Sequence, residues 1–354
     1  MWERLLRWLR ALFAPTDRAD PGPAPSLPPG GLTAERPDLA TAPIAWIPAE
    51  DSPFGTRVLD VRPITLGTLS MSRDPQMAQN AVSYGGEDGS SFAAERPASA
   101  RRVDATLRFR ASERLVDGSL FIPREMEDKW ALFVAGGELV CVRSWQRKVF
   151  LRAALRVEGA ELVVGPFEGA ICDAAEGDEF TVRAVDFLLR THALDLAWPA
   201  PLPGDREPKS LALFCMSQFG RGAHYAALEP PPREAPARPL RVMSRLHLAV
   251  LRGDVDGARA ALDAGVPVAL RDRLGAPAIH YVTEAGPMLA LLAERGADLD
   301  AASDDGVRPL MMAVQTRSLP LVTWLLARRS GRCRRRARVH GAPSRRGDGR
   351  GRDR

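Results

Sequence analysis

The sequence predicts a multidomain chain in which a central α+β domain with an antiparallel sheet is followed by an all-α array of helical repeats. Three similar segments, beginning at Leu246, Ile279 and Leu310, indicate the repeats. Their spacing of 33 and then 31 residues is typical of stacked helix–loop–helix units. Apolar and polar residues alternate from Val103 to Ala111, and this period of two indicates a half-buried strand in the central domain.

The N-terminal part is predicted to be a short amphipathic helix, residues 1–13, followed by a proline-rich linker, residues 14–43. Arg4, Arg7 and Arg10 mark one side of the helix, and Trp and Leu residues form the other. Such a helix can contact a membrane interface, dock on a protein surface or fray, and all three outcomes stay open. The arginines argue against a signal peptide, and no run of 18 apolar residues predicts a spanning helix.

Residues 44–228 are predicted to form the central α+β domain. A Gly136–Gly137 pair between two apolar runs predicts a tight hairpin turn. The expected elements, in chain order, are a strand from Val58 to Ile64, a helix after Asp74, the alternating strand, the hairpin from Trp130 to Val142, strands at 148–157 and 161–164, a helix at 178–192 capped by Asp178, and a helix at 209–219.

This domain carries no recognisable catalytic or phosphate-binding motif, so we expect no catalytic, cofactor-binding or metal-binding residues. The sequence therefore favours a non-catalytic protein over an enzyme. The four cysteines have no metal-ligand spacing. His192 is expected at a helix end, without a catalytic role. The basic segment around Arg143-Ser144-Trp145, with Arg147, Lys148 and Arg152, could meet a carboxylate or phosphate, or could be a solvated strand face.

A second proline-rich linker is predicted at residues 229–241, and the repeats at 242–330. Gly265 and Gly296, 31 residues apart, suit left-handed helix ends. Ser244 can accept a hydrogen bond at a helix start, and Pro309 is tolerated in a first helical turn.

These segments resemble the ankyrin repeat. The resemblance rests on Leu246-His247-Leu248-Ala249, on Leu291-Leu292-Ala293-Glu294-Arg295-Gly296-Ala297-Asp298, and on Asp305-Gly306 before Arg308-Pro309-Leu310. Two departures stand out: Met311 replaces the histidine, and the second unit is two residues short, which predicts a tight loop at Gly286-Pro287.

The resemblance implies recognition of a protein partner without catalysis. The implied contact residues lie on the turn tips and the first helices: Arg271, Arg273, Ser303, Asp304, Asp305, Val250, Thr283 and Gln315. Two alternatives stay open. The central domain could be an enzyme or small-ligand binder with the repeats as a targeting arm, or the chain could be a membrane-tethered bacterial effector or immunity-type protein.

The net charge of +5 is unevenly distributed. From Arg328 onward there are twelve arginines and two aspartates, a net +10, so the preceding residues carry −5. The predicted folded part is therefore acidic, and we expect a cytoplasmic protein that does not bind nucleic acid. The Arg-rich tail, residues 331–354, is predicted to be disordered, either as an arm for nucleic acid or an anionic membrane or as the product of a shifted reading frame.

Overall fold

The structure is a computed structural model that describes residues 43–328, except 113–114, 174, 233–235 and 237. The predicted amphipathic helix at 1–13, the linker up to residue 42 and the tail at 331–354 lie outside the described residues. Within the described ranges, no helix is both long enough and apolar enough to cross a membrane.

Eight strands form one antiparallel sheet that builds most of the central domain. They are β3 (Arg102–Val103), β4 (Leu107–Arg110), β5 (Gly118–Phe121), β6 (Trp130–Ala135), β7 (Glu138–Arg143), β8 (Lys148–Glu158), β9 (Glu161–Gly169) and β12 (Met243–Ser244). Their order is β12-β5-β6-β7-β8-β9-β3, and β4 also pairs with β9. The predicted hairpin is confirmed as β6 and β7, with Gly136 and Gly137 at φ 61° and 77°.

The predicted alternating strand is divided into β3 and β4. Val103 pairs with Phe167 and Leu107 pairs with Val164, so one residue more lies on this side than on β9. The extra residue interrupts the ladder in the manner of a β-bulge. Apolar and polar residues continue to alternate across this interruption, and for this reason the sequence predicted a single strand.

A smaller sheet has the order β1-β2-β11-β10. Its strands are β1 (Trp46–Ile47), β2 (Val58–Asp60), β10 (Ala200–Pro201) and β11 (Tyr225–Ala227). The strand predicted from Val58 to Ile64 is too long, because helix α1 (Arg62–Thr65) begins after Asp60. The Asp60 carboxylate accepts a hydrogen bond from the Arg62 N–H at 3.1 Å, which ends the strand and starts the helix.

Three longer helices complete the central domain: α2 (Pro75–Val82), α3 (Asp178–Leu188) and α4 (Pro208–Gln218). The predicted helix after Asp74 is confirmed, and its cap accepts from the Gln76 N–H at 2.9 Å. The prediction that Asp178 caps α3 is wrong. Gly177 occupies the cap position, and the Asp178 carboxylate pairs with Arg101 instead.

The C-terminal part consists of stacked helical units. The helices are α5 (Arg245–Arg252), α6 (Val255–Asp263), α7 (Pro287–Glu294), α8 (Pro309–Gln315) and α9 (319–328), with a 3₁₀ turn at Ala278–Tyr281. Gly265 and Gly296 both have φ +86°, which confirms the predicted left-handed helix ends. The second unit is two residues shorter than the first, and its first helix is reduced to the 3₁₀ turn.

The repeats are joined to the central sheet, although the sequence predicted a linker between them. Strand β12, at the entry to α5, pairs with β5 through Met243–Ser119 and Ser244–Gly118. Leu240 and Val242 are buried in the apolar core of the central domain. The segment expected as a stiff spacer therefore ends as packed structure, and the first repeat lies against the sheet.

We predict that Gly118→Ala weakens this joint. A Cβ at Gly118 would lie 2.6 Å from the Met243 carbonyl oxygen, so β5 and β12 would have to separate. Overpacking of this kind costs about 1–3 kcal/mol. Amide hydrogen exchange at residues 240–246 should speed up in the variant.

The matched control is Gly177→Ala, because Gly177 has φ −68° and a Cβ there meets no atom within 4 Å. Equal exchange rates at residues 240–246 in Gly118→Ala and the wild-type protein would contradict the proposed role of the strand pair.

Candidate protein-interaction surface

The turns between the repeats have one hydrogen-bond pattern, repeated 31 residues apart. Asp272 donates its N–H to the Ala276 carbonyl at 3.1 Å, and Ser303 donates to the Val307 carbonyl at 2.8 Å. Gly275 and Gly306 close the two turns at φ +70° and +76°, a conformation that favours glycine. The two turns are therefore rigid and similarly oriented within their units.

Side chains and backbone join these turns into one edge. The Asp304 N–H donates to the Leu274 carbonyl at 3.1 Å. The Arg271 guanidinium donates to the Ala302 carbonyl at 2.6 Å and also to the Gly275 carbonyl. Arg241, which precedes the first repeat, pairs with the Asp304 carboxylate at 2.7 Å. The turn edge is therefore continuous with the segment that leaves the central domain.

Two buried histidines connect each unit to the next. Nε2 of His247 lies 3.3 Å from the Ala276 carbonyl oxygen, and Nε2 of His280 lies 3.0 Å from that of Val307. A carbonyl only accepts, so both Nε2 atoms must carry the proton. The Ser244 N–H points to Nδ1 of His247 at 3.4 Å, which fits the same neutral tautomer.

Burial is the main reason that the pKa values of His247 and His280 lie below that of a free histidine. Both rings are thus held neutral. They are hydrogen-bonding residues, and each reaches the following repeat.

The eight predicted contact residues differ in their accessibility. Thr283, Asp304, Asp305 and Gln315 are exposed. Arg271 and Arg273 are partly exposed, and Arg271 holds the turn edge described above. Val250 is only 4% exposed and Ser303 only 6%, so neither offers its side chain to a partner.

Physical reasons account for the two buried residues. Val250 belongs to the apolar cluster of the repeats. The Ser303 hydroxyl accepts the Val307 N–H at 3.2 Å and completes its own turn. The prediction that Val250 and Ser303 contact a partner is therefore corrected.

Arg273 lies at the boundary with the central domain. Burial lowers the pKa of its guanidinium, and the neighbouring Arg124 of the central domain lowers that pKa further. Asp195, also in the central domain, has the opposite effect. We therefore place Arg273 in the contact between the two parts of the chain.

The structure adds three exposed residues that the sequence reasoning missed: Glu284, Met311 and Val314. Val314 is 60% exposed and occupies the same position in the third unit as Thr283 in the second, 31 residues earlier. Met311 stands at the histidine position. The repeat period could have identified these residues, since it relates an exposed position in one repeat to the equivalent position in the next.

In the basic segment around the Arg143-Ser144-Trp145 turn, Arg143 and Ser144 bond to backbone carbonyls of the central domain. The Arg143 guanidinium donates to the carbonyls of Ser217 and Gln218 at 2.6 and 2.7 Å. Burial lowers its pKa to about 10. The Ser144 hydroxyl donates to the Asp128 carbonyl at 2.7 Å, so the turn is used for internal bonding.

The other cations of this segment divide between internal and exposed positions. Arg152 is buried and pairs with Glu138 at 2.7 Å, whereas Lys148 is exposed. Arg147 pairs with Glu87 at 2.9 Å. Across the described ranges, no group of three His, Cys, Asp or Glu side chains is arranged to hold a metal ion.

Stacked helical units with repeated glycine turns define a helical-repeat protein. Residues 246–335 match the family model for ankyrin repeats in three copies. The chain therefore carries ankyrin repeats in its C-terminal third, as predicted, and the match extends five residues beyond the predicted end at 330. This family model covers no part of the central domain, and no curated protein matches the chain. Ankyrin repeats indicate a protein–protein interaction module.

We predict that His280→Leu destabilises the repeats. The change removes the Nε2–H donor, so the part-buried Val307 carbonyl loses its imidazole partner but still accepts the Ser303 N–H. Loss of one such hydrogen bond costs about 0.5–1.5 kcal/mol. Urea unfolding followed by circular dichroism should show a lower midpoint, whereas Thr283→Ala at an exposed position should leave the midpoint unchanged. An unchanged midpoint for His280→Leu would remove the histidine from the inter-repeat contact.

A pH dependence follows from the same residue. The folded-state pKa of His280 lies below its unfolded value of 6.5, so stability is full above pH 6.5 and falls as the pH drops toward the folded pKa. The slope per histidine is at most about 1.4 kcal/mol per pH unit. His280→Gln retains a donor without titrating. Its unfolding free energy should fall less than that of the wild-type protein between pH 7.5 and 5.5, and equal slopes would contradict this assignment.

Proposed function

We propose that this protein binds a protein partner through the exposed side of its second and third repeats. The surface consists of the first-helix positions Thr283, Glu284, Val314 and Gln315 with the turn residues Asp304 and Asp305, and we call it the repeat surface. All six residues are exposed. This common exposure, in two units that contact each other, is the observation that carries the proposal.

The first repeat is excluded from this surface. Arg252 donates to the Gly86 carbonyl at 2.7 Å, and Arg245 lies 3.4 Å from the Asp88 carboxylate. Both acceptors belong to the central domain, which therefore covers that side of the array. We therefore limit the repeat surface to the second and third units.

The chemistry of the repeat surface limits the partner. Three of its six residues carry carboxylates, and Arg241 neutralises one of them, Asp304. Val314 supplies an exposed apolar contact. We infer a protein partner that presents an apolar side chain flanked by basic ones, because buried apolar anchors supply affinity and complementary charges direct the approach.

Affinity capture with the full chain tests this proposal. Proteins retained by the wild-type chain are purified, and their dissociation constants are measured against Val314→Arg. The variant removes the apolar contact and puts a cation in its place. If Val314 is a central contact, its loss costs about 2 kcal/mol, or roughly 30-fold in affinity.

Leu213→Arg is the matched control, because Leu213 on α4 is 50% exposed and Val314 is 60% exposed. Binding should be retained in this variant. A partner held equally well by Val314→Arg, or lost in Leu213→Arg, would move the binding site to the central domain and contradict the proposal.

A further inference from the structure

The central domain contains a buried lysine beside a partly exposed serine. Both residues precede the repeats by more than a hundred positions in the sequence. Lys129 is 7% exposed, and its Nζ lies 2.7 Å from Ser70 Oγ and 2.9 Å from the Met126 carbonyl oxygen. The same ammonium stands 4.3 Å from the ring centre of Trp145. Its described neighbours are thus a hydroxyl, a carbonyl and an aromatic face, with no close ion pair to hold its charge.

Three segments bring these groups together. Lys129 immediately precedes β6, and Trp145 follows β7 in the turn to β8. The Trp145 ring is fixed by its Nε1–H, which donates to the Met126 carbonyl at 2.8 Å. The Ser70 N–H donates to Oε1 of Glu127 at 2.6 Å, so the serine backbone is held against the segment before β6 that carries the lysine.

This environment raises the fraction of Lys129 that is present as the neutral amine. Burial, with a smaller contribution from the neighbouring Arg143, lowers the pKa of Lys129 to about 8, although Glu127 and Asp128 act in the opposite direction. A neutral Nζ has a lone pair and can accept the Ser70 hydroxyl proton, whereas an ammonium can only donate. A lysine near its pKa beside a hydroxyl is one way in which proteins activate a nucleophile.

We propose that Ser70 and Lys129 form a nucleophile–base pair that accepts an acyl group from an ester with an apolar acyl chain. Leu69 and Met71, which flank the serine, are 75% and 89% exposed, and large apolar side chains at such positions favour an apolar substrate. This activity goes beyond the protein-binding role and belongs to the central domain alone.

The proposed step is balanced within the pair. Ser70 Oγ forms a bond to the ester carbonyl carbon while its proton moves to the neutral Nζ of Lys129. The ester C–O bond then breaks, and the leaving alkoxide takes that proton as it departs as an alcohol. Water then gives a proton to the same Nζ and attacks the acyl carbon. The bond between that carbon and Ser70 Oγ breaks, Oγ takes the proton back from Nζ, and the carboxylic acid is released.

The test uses the full chain and two probes, an alkyl fluorophosphonate and p-nitrophenyl butyrate. The fluorophosphonate should bond to Ser70 with loss of fluoride, and peptide mass spectrometry locates the adduct. Ser70→Ala should abolish this adduct. Ser72→Ala should retain it, because the Ser72 hydroxyl only accepts the Asp74 N–H at 3.1 Å.

Two readouts separate a base from a structural lysine. In the wild-type protein, labelling of Ser70 and release of p-nitrophenol should rise with pH through about 8, the pKa of Lys129. Lys129→Met should slow labelling at least about 100-fold, the usual contribution of a general base. Its fold is checked by circular dichroism.

The pH profile requires no variant, so a misfolded Lys129→Met leaves the test intact. Labelling of Ser70 at no more than the level of Ser72 would overturn the proposal. So would a Ser70 labelling rate that is flat between pH 7 and 9.

Discussion

The two-residue ladder between β5 and β12 is the contact on which the arrangement of the chain depends. Met243 and Ser244 continue the large antiparallel sheet, and α5 begins at the next residue. A chain that leaves a strand and enters a helix without a spacer has little freedom to rotate about the joint. The sheet therefore determines where the first repeat lies.

This attachment also solves a problem of repeat proteins, whose terminal units expose apolar faces unless something covers them. Here the central domain lies against the first unit, through the contacts of Arg245 and Arg252 with Asp88 and Gly86. A groove of about 380 Å³ remains between them. This arrangement is why we propose protein recognition at the second and third units, whose first-helix residues Thr283, Glu284, Val314 and Gln315 are exposed.

In both parts of the chain, several polar side chains donate hydrogen bonds to backbone carbonyl groups. His247 and His280 do so between repeats, and Arg143 and Ser144 do so in the central domain. Buried polar groups need such partners, since an unpaired carbonyl costs as much as a lost hydrogen bond. Lys129 differs because one of its partners is a hydroxyl, which can itself lose a proton.

The sequence by itself determined the features that depend on neighbours along the chain. The left-handed Gly265 and Gly296, the Gly136–Gly137 hairpin and the Asp74 cap each rest on a few consecutive residues. The repeat period was visible because similar segments recur 33 and 31 residues apart. Only the tertiary structure decided that Leu240 enters the central core, that Met243 joins the sheet and that Val250 is buried. A two-residue strand is too short to show a period, and its partner lies more than a hundred residues earlier. The approach of Lys129 to Ser70 has the same cause, because 59 residues separate them and no local pattern records their distance.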